Sequence, residues 1–245
     1  MKNSSDNDKR PDPTRPASLP PIAEAILQEL ARLIASDNIV IGGGIALKHY
    51  VDHRPTQDID AWWKSAREEN DLNLVREAMK RTAKAHNLSL REKRFGATDS
   101  IELVDDKSRK VFSFQIAVRD KALDEPIDSA WPPLKIETLR DNIGSKMNAL
   151  VQRGAPRDFV DIYELVASGL TTATECWELW AMKNDEANIE SAKALVAAHL
   201  RRLEGRRPLD SILNDAERSK AGLVRRWFSD AFLRIDPNSS GCQNA

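Results

Sequence analysis

Three consecutive glycines between two apolar segments constrain the fold of this chain more than any other feature. Residues 38–41 form a short apolar run, Gly42, Gly43 and Gly44 follow, and residues 45–51 carry apolar side chains at helical spacing. This order predicts a strand, a tight turn and a helix. Because glycine has no Cβ atom, such a turn lets a phosphate group approach backbone N–H groups at a helix N-terminus.

Two aspartates follow the last glycine after thirteen intervening residues, inside an apolar segment, 57–63, that predicts a second strand. Side chains two residues apart in a strand point to the same face, so the carboxylates of Asp58 and Asp60 lie about 7 Å apart on one face. Mg²⁺ is commonly held by one or two carboxylates together with substrate phosphates. Two such ions can stabilise the attacking and leaving oxygens of an in-line displacement.

Each motif alone also has a simpler interpretation. A glycine triplet is most often only a turn, and an Asp-x-Asp segment is most often a solvated edge strand. The order and spacing of the two motifs, with Arg54 and Thr56 between them, favour a combined site for metal and phosphate.

The remaining hydrophobic pattern predicts an α/β half followed by an all-helical half, with a boundary near residue 130. Strands are predicted at 38–41, 57–63, 88–94, 100–104 and 111–118, and helices at 21–35, 45–51, 71–85, 136–152, 156–168, 171–183, 188–203 and 216–234. The Pro-rich residues 1–20 are predicted to be a disordered leader and residues 236–245 a flexible tail. The domains are then 21–130 for the core and 131–235 for the helical part.

Composition narrows the class of protein. The chain has 37 Lys and Arg against 38 Asp and Glu, so attraction to nucleic acid must come from local patches. No apolar run approaches the roughly 20 residues that span a bilayer, which argues against a membrane protein. Cys176 and Cys242 fit neither a disulfide framework nor a zinc pattern, and the N-terminus lacks the apolar segment of a secretory signal. These features predict a cytoplasmic location.

Together the glycine turn and the aspartate pair resemble the nucleotidyltransferase superfamily with a DNA polymerase β-like fold. More narrowly, the chain resembles the AbiEii/AbiGii toxin family, which includes MenT-type toxins. The matching stretches are 41–47 (IGGGIAL), 54–60 (RPTQDID), 146–150 (KMNAL), Arg153 and 157–162 (RDFVDI), in family order over about 120 residues. Having the early and the late blocks together is much more specific than having either one.

This resemblance implies a mixed-sheet core followed by a C-terminal helical bundle. It also implies Mg²⁺-dependent transfer of a nucleoside monophosphate from an NTP, such as ATP, to an acceptor, by the toxin of a toxin–antitoxin pair. The MenT resemblance implies tRNA as the acceptor class and a cognate antitoxin as a possible partner. By motif match, the metals are assigned to Asp58 and Asp60, the nucleotide to Gly43, Gly44, Arg54, Thr56, Lys146 and Arg153, and catalysis to Asp58, Asp60, Lys146 and Asp158.

The later block supports this assignment in part. On a helix from 139 to 152, Lys146 and Arg153 lie on the same stripe and project to the same side. Asp158 and Asp161 lie in the opening turns of the next helix. Replacing Asp158 is predicted to reduce toxicity or nucleotide transfer more than replacing Asp161. In the alternative interpretation these acids only complement the helix dipole and pair with a neighbouring arginine.

Two residues depart from the family pattern. Ile45 stands where the family usually has Ser or Thr, so only backbone donors remain for a triphosphate. Gln115 stands in the strand where the superfamily has a third carboxylate, and Gln is a poor metal ligand. Two other functions therefore stay open, namely transfer to a small molecule or a protein, and nucleotide binding without catalysis.

Two groups of cations are candidates for an RNA contact. Residues 76–94 hold seven Lys and Arg against two Glu, a local excess of +5, and four arginines cluster at 201–207. Such groups can neutralise phosphates and make binding depend on salt. The alternative is that both are ordinary solvated helix surfaces.

Overall fold

The computed structural model describes residues 11–118, 121–185 and 188–235. The predicted leader before residue 11, the tail at 236–245 and Cys242 lie outside the described residues. Residues 11–20 contain no helix or strand. The backbone N–H of Thr14 nevertheless donates to the carbonyl of His49 at 2.9 Å, so this segment contacts the core.

The described chain contains seven strands and eight α-helices in an order close to the predicted one. The elements are α1 (Pro21–Leu33), β1 (Ile39–Gly42), α2 (Gly43–Leu47), β2 (Asp58–Trp63), α3 (Glu69–Ala85), β3 (Ser89–Phe95), β4 (Thr98–Val104), β5 (Lys110–Val118), β6 (Ile127–Asp128), β7 (Lys135–Ile136), α4 (Leu139–Gln152), α5 (Pro156–Ala167), α6 (Ala173–Lys183), α7 (Ile189–Arg206) and α8 (Asp215–Asp230). Short 3₁₀ turns follow at Leu209–Ser211 and Phe232–Arg234.

The strands form one mixed sheet in the order β3-β4-β5-β2-β1-β7-β6. Strand β2 is parallel to β5, and β1 is parallel to β7, whereas the other neighbours are antiparallel. The predicted α/β class, with a mixed sheet and C-terminal helices, is confirmed. Strands β6 and β7 were not predicted, because strands of two residues are too short to show an alternating pattern.

One face of the sheet carries the hydrophobic core. Ile59, Ala61 and Trp63 of β2 are buried in a cluster that also includes apolar residues of α1 and α3. Because side chains alternate along a strand, Asp58 and Asp60 point to the other face. The alternation thus gives β2 a buried apolar side and a half-buried side that carries Asp58, Asp60 and Trp62.

The chain divides into two compact units between Asn142 and Ile143. The division lies within α4, whereas the sequence places the domain boundary near residue 130. The second unit has an aromatic core in which Phe159, Phe228 and Trp227 make edge-to-face contacts with ring centroids 4.8 to 4.9 Å apart. Among the helices that the structure describes, none has the length and apolar character needed to cross a membrane.

Candidate active site

The glycine turn passes directly over the second aspartate of the pair. Gly42 is opposite Asp60 in the β1–β2 register. Gly43 has a φ of +58°, and a Cβ atom there would lie 2.2 Å from Oδ2 of Asp60. A Cβ atom on Gly42 would lie 2.2 Å from Nε1 of Trp62. Both positions therefore require glycine, and Gly43 does so because of its left-handed backbone as well as the close approach.

A buried glutamate holds this turn in place. Glu137, which follows β7, accepts hydrogen bonds from the Gly43 N–H at 2.9 Å, the Asn142 Nδ2 at 2.6 Å and the Trp62 Nε1 at 3.2 Å. Asn142 also donates to the Gly43 carbonyl at 2.9 Å. Both polar backbone groups of Gly43 are thus bound by side chains. The Gly43 N–H, which the sequence assigns to the nucleotide, thus donates to Glu137 in this structure.

Sequence reasoning missed the role of Glu137. Its position depends on the parallel pairing of β7 with β1, which joins residues 94 positions apart at the Gly43 N–H bond. No local sequence pattern indicates such a pairing. The available signal was a glutamate directly after the apolar residue Ile136, but an isolated acid at a segment end is too common to single out.

Thr56 contacts the first aspartate. Its buried hydroxyl lies 3.0 Å from the Asp58 carbonyl oxygen and 3.2 Å from Asp58 Oδ1. A Cβ atom on Gly44 would lie 3.0 Å from the same hydroxyl oxygen. Thr56 therefore connects the glycine turn with Asp58. Arg54 donates to the neighbouring Pro55 carbonyl at 3.2 Å.

The strand next to the aspartates carries neutral polar groups. Strand β5 places Gln115 beside Asp60 and Ser113 beside Asp58. Within the described ranges, no group of three His, Cys, Asp or Glu side chains is arranged to hold a metal ion. Two carboxylates on one face still fit Mg²⁺, because this ion commonly takes its other ligands from water and substrate phosphates. The donors suit an ion that binds together with a nucleotide.

The second unit contains the late motif, in which two acids each hold one cation. Lys146 Nζ lies 2.9 Å from Asp161 Oδ2, and these side chains are 10% and 0% exposed. Arg153 forms a bidentate pair with Asp158, at 2.9 and 2.8 Å. Asp158 Oδ2 also accepts the N–H of Ala155 at the start of α5. Lys146 thus pairs with Asp161, whereas Asp158 binds both Arg153 and the N-terminus of α5.

Most cations of residues 76–94 are paired with acids. Arg76 pairs with Glu69 and Glu92, Arg81 with Glu77, Arg91 and Lys93 with Glu102, and Arg94 with Asp99, at N···O distances of 2.5 to 3.9 Å. Glu69, Asp99 and Glu102 lie outside the counted segment. The excess of +5 read from the sequence therefore overstates the positive charge of this surface.

Comparison with known proteins agrees with the motif and the geometry. No curated protein sequence matches the chain. The family model described as nucleotidyl transferase AbiEii toxin, type IV toxin–antitoxin system, matches residues 25–227. This range contains the glycine turn, the aspartate pair and both ion pairs of the late motif. The chain therefore belongs to the AbiEii family of nucleotidyl transferase toxins.

Proposed function

We propose that this protein is a Mg²⁺-dependent nucleotidyltransferase and the toxin of a toxin–antitoxin pair. It would transfer a nucleoside monophosphate from an NTP, such as ATP, to an acceptor. The observation that carries this proposal is the position of the Asp60 carboxylate against Gly43, beside Asp58 on the same face of β2. This arrangement puts acidic metal ligands next to a turn that a phosphate can approach.

The residues of the first unit have separable roles in this proposal. Asp58 and Asp60 would hold Mg²⁺, which when bound polarises a phosphoryl oxygen and screens developing charge. Thr56 orients Asp58 through its hydroxyl. Glu137 keeps Gly43 in its left-handed conformation. The backbone of Gly44 is the donor that we assign to the triphosphate.

The cations of the second unit would stabilise negative charge on the nucleotide. The ion pair with buried Asp161 holds the Lys146 ammonium group in a fixed position, and electrostatic catalysis requires charge in a fixed position. By the motif match we assign Lys146 and Arg153 to the nucleotide phosphates, with Asp161 and Asp158 positioning them.

We assign the acceptor to RNA, with tRNA as the first candidate because the chain resembles MenT-type toxins. A cognate antitoxin and a cytoplasmic location belong to the same proposal. Two residues, Ile45 and Gln115, favour the alternative hypothesis that the protein binds a nucleotide without catalysing transfer. Ile45 is fully buried in the core, so the absence of a hydroxyl there reflects packing. Gln115 removes one carboxylate but leaves the Asp58 and Asp60 pair in place.

The test is incubation of the full chain and MgCl₂ with each α-labelled NTP in turn and total RNA. We expect label to enter the tRNA fraction with at least one NTP, and EDTA to abolish it. A parallel reaction contains a cell lysate cleared of RNA. Label in small molecules or protein would replace the RNA assignment, and no label in any fraction would contradict transfer.

A further inference from the structure

The second unit contains a cavity that includes Arg153, which is assigned above to the nucleotide, and extends beyond it to residues with no role in the proposed transfer. It has a volume of about 260 Å³ and lies between the α4–α5 connection and the C-terminal half of α7. Its lining includes Arg153, Gly154, His199, Arg202, Arg206 and Arg207. Arginine and histidine side chains thus supply most of the polar surface.

A chain of hydrogen bonds fixes one wall of this cavity. His199 Nε2 lies 3.0 Å from the Val151 carbonyl oxygen, which can only accept, so this nitrogen carries the proton. His199 Nδ1 then accepts from Arg202 Nη2 at 2.8 Å. The same Nη2 donates to the Arg153 carbonyl at 2.9 Å. Arg202 is therefore held by a ring nitrogen and a carbonyl oxygen, and neither of these partners is a carboxylate.

Close backbone packing supports the same wall. Gly154 has a φ of +55°, and a Cβ atom there would lie 2.4 Å from the Cβ of His199. The turn between α4 and α5 is thus pressed against α7. This contact holds the Arg153 carbonyl where Arg202 reaches it.

The cavity retains positive charge. Arg153 is neutralised by Asp158, and Arg207 by Glu217 at 2.7 Å. Neither Arg202 nor Arg206 has a carboxylate within 4.0 Å in the part of the chain that the structure describes. Two positive charges therefore remain. Arg202 and Arg206 are one turn apart on α7, about 6 Å along its axis.

We propose that this cavity binds the phosphodiester backbone of the acceptor RNA. The proposal rests on the proposed function for the identity of the polyanion. Arginine is the side chain best suited to phosphate, because its planar guanidinium donates two parallel hydrogen bonds. Two uncompensated arginines one helical turn apart suit an extended polyanion, and exposed Arg201 beside them continues the positive surface.

The experiment measures RNA binding separately from transfer. Fluorescently labelled tRNA is titrated with the full chain in EDTA without NTP, and anisotropy is recorded from 50 to 300 mM KCl. The variants are Arg206→Ala and, as a matched control, Arg226→Ala. Arg226 is an exposed arginine of α8 that also has no carboxylate within 4.0 Å among the described residues and lies outside both candidate RNA-contact groups.

Arg206→Ala should weaken binding roughly fivefold at 0.1 M salt and reduce the slope of log affinity against log salt by about 0.7 to 0.9, as expected for one lost phosphate contact. Arg226→Ala should leave both quantities unchanged. Equal RNA binding by wild type and Arg206→Ala would overturn the cavity assignment, even if the wild type transfers nucleotide to RNA. A loss confined to metal-dependent NTP binding would also overturn it, because the cavity would then serve the nucleotide.

Failure of the proposed function gives a different result. If the wild type binds tRNA through Arg206 but transfers no label to it, the phosphate site stands and the transferase assignment fails. The two proposals are therefore tested by separate readouts, namely anisotropy without NTP and label incorporation with NTP.

Discussion

The two units of the chain use carboxylates in different ways. In the first unit, Glu137 binds backbone and neutral side-chain donors, and so fixes the shape of the Gly43 turn. In the second unit, Asp161 and Asp158 bind cations, and so fix the position of charge. Substitutions around Glu137 are therefore expected to act through geometry, whereas those of Asp161 and Asp158 are expected to act through charge balance.

The largest effect should come from Gly43→Val. The substituted residue would meet the Asp60 carboxylate at 2.2 Å and would have to keep a φ of +58°, so we expect nucleotide transfer to be lost and the protein destabilised. Label incorporation and thermal unfolding measure both. Gly96→Val is the matched control, because Gly96 has a φ of +56° and no atom within 4 Å of an added Cβ. Equal damage by the two variants would show that backbone strain alone matters.

The charge balance of the second unit is tested by Asp161→Asn against Asp158→Asn. Removing one partner of a buried ion pair costs about 3–5 kcal/mol. Lys146 is nearly buried, so Asp161→Asn should approach that cost. Arg153 is 52% exposed and can turn to water, so Asp158→Asn should cost about 1–2 kcal/mol after allowance for screening. Urea unfolding gives both free energies. The opposite order would contradict the view that exposure of the paired cation sets the cost. The greater importance predicted for Asp158 concerns nucleotide transfer, and label incorporation by the same two variants tests it.

A smaller effect is expected for Glu137→Gln. The amide replaces one acceptor oxygen by a donor, which would face an N–H group of Gly43, Asn142 or Trp62. A buried group left unsatisfied costs about 1–3 kcal/mol. Trp62→Phe removes only one donor from the same carboxylate and should cost less. If Trp62→Phe lowers the free energy of unfolding in urea more than Glu137→Gln does, packing of the indole contributes more to stability than the hydrogen bonds of Glu137.

The smallest effect should be a pH dependence from His49 in the first unit. Burial lowers the pKa of His49, whose Nδ1 lies 3.0 Å from the Ile45 carbonyl oxygen. The unfolded chain therefore takes up a proton on this side chain at a higher pH than the folded chain does. Stability should fall as the pH drops below the ordinary histidine pKa of about 6.5. Thermal unfolding at pH 7.5 and 5.5 should show a smaller difference for His49→Gln than for wild type, and an unchanged difference would contradict this role.

Local patterns predicted the parts of the fold and site that depend on neighbouring residues. The glycine turn and the alternation in β2 could be predicted from the sequence because each pattern is complete within seven residues. The role of Glu137 depends on a parallel strand pair that joins distant segments, so it could not be predicted. Lys146 pairs with Asp161 and not with Asp158 because of how α4 packs against α5, and the sequence pattern does not show this packing. For the same reason, a charge count within residues 76–94 does not include three of the acids that pair with its cations, namely Glu69 at the start of α3 and Asp99 and Glu102 in β4.

The most direct test of the central claim is transfer by Asp58→Asn and Asp60→Asn. Each change keeps the shape of the side chain but removes the charge that would hold Mg²⁺, which is worth several kcal/mol and hence about a hundredfold or more in rate. Asp128→Asn, in exposed strand β6, is the matched control. With α-labelled NTP, MgCl₂ and total RNA, we expect both site variants to lose transfer while their thermal unfolding and that of Asp128→Asn stay close to wild type. Transfer at the wild-type rate by either folded site variant would contradict the metal-binding role of the pair.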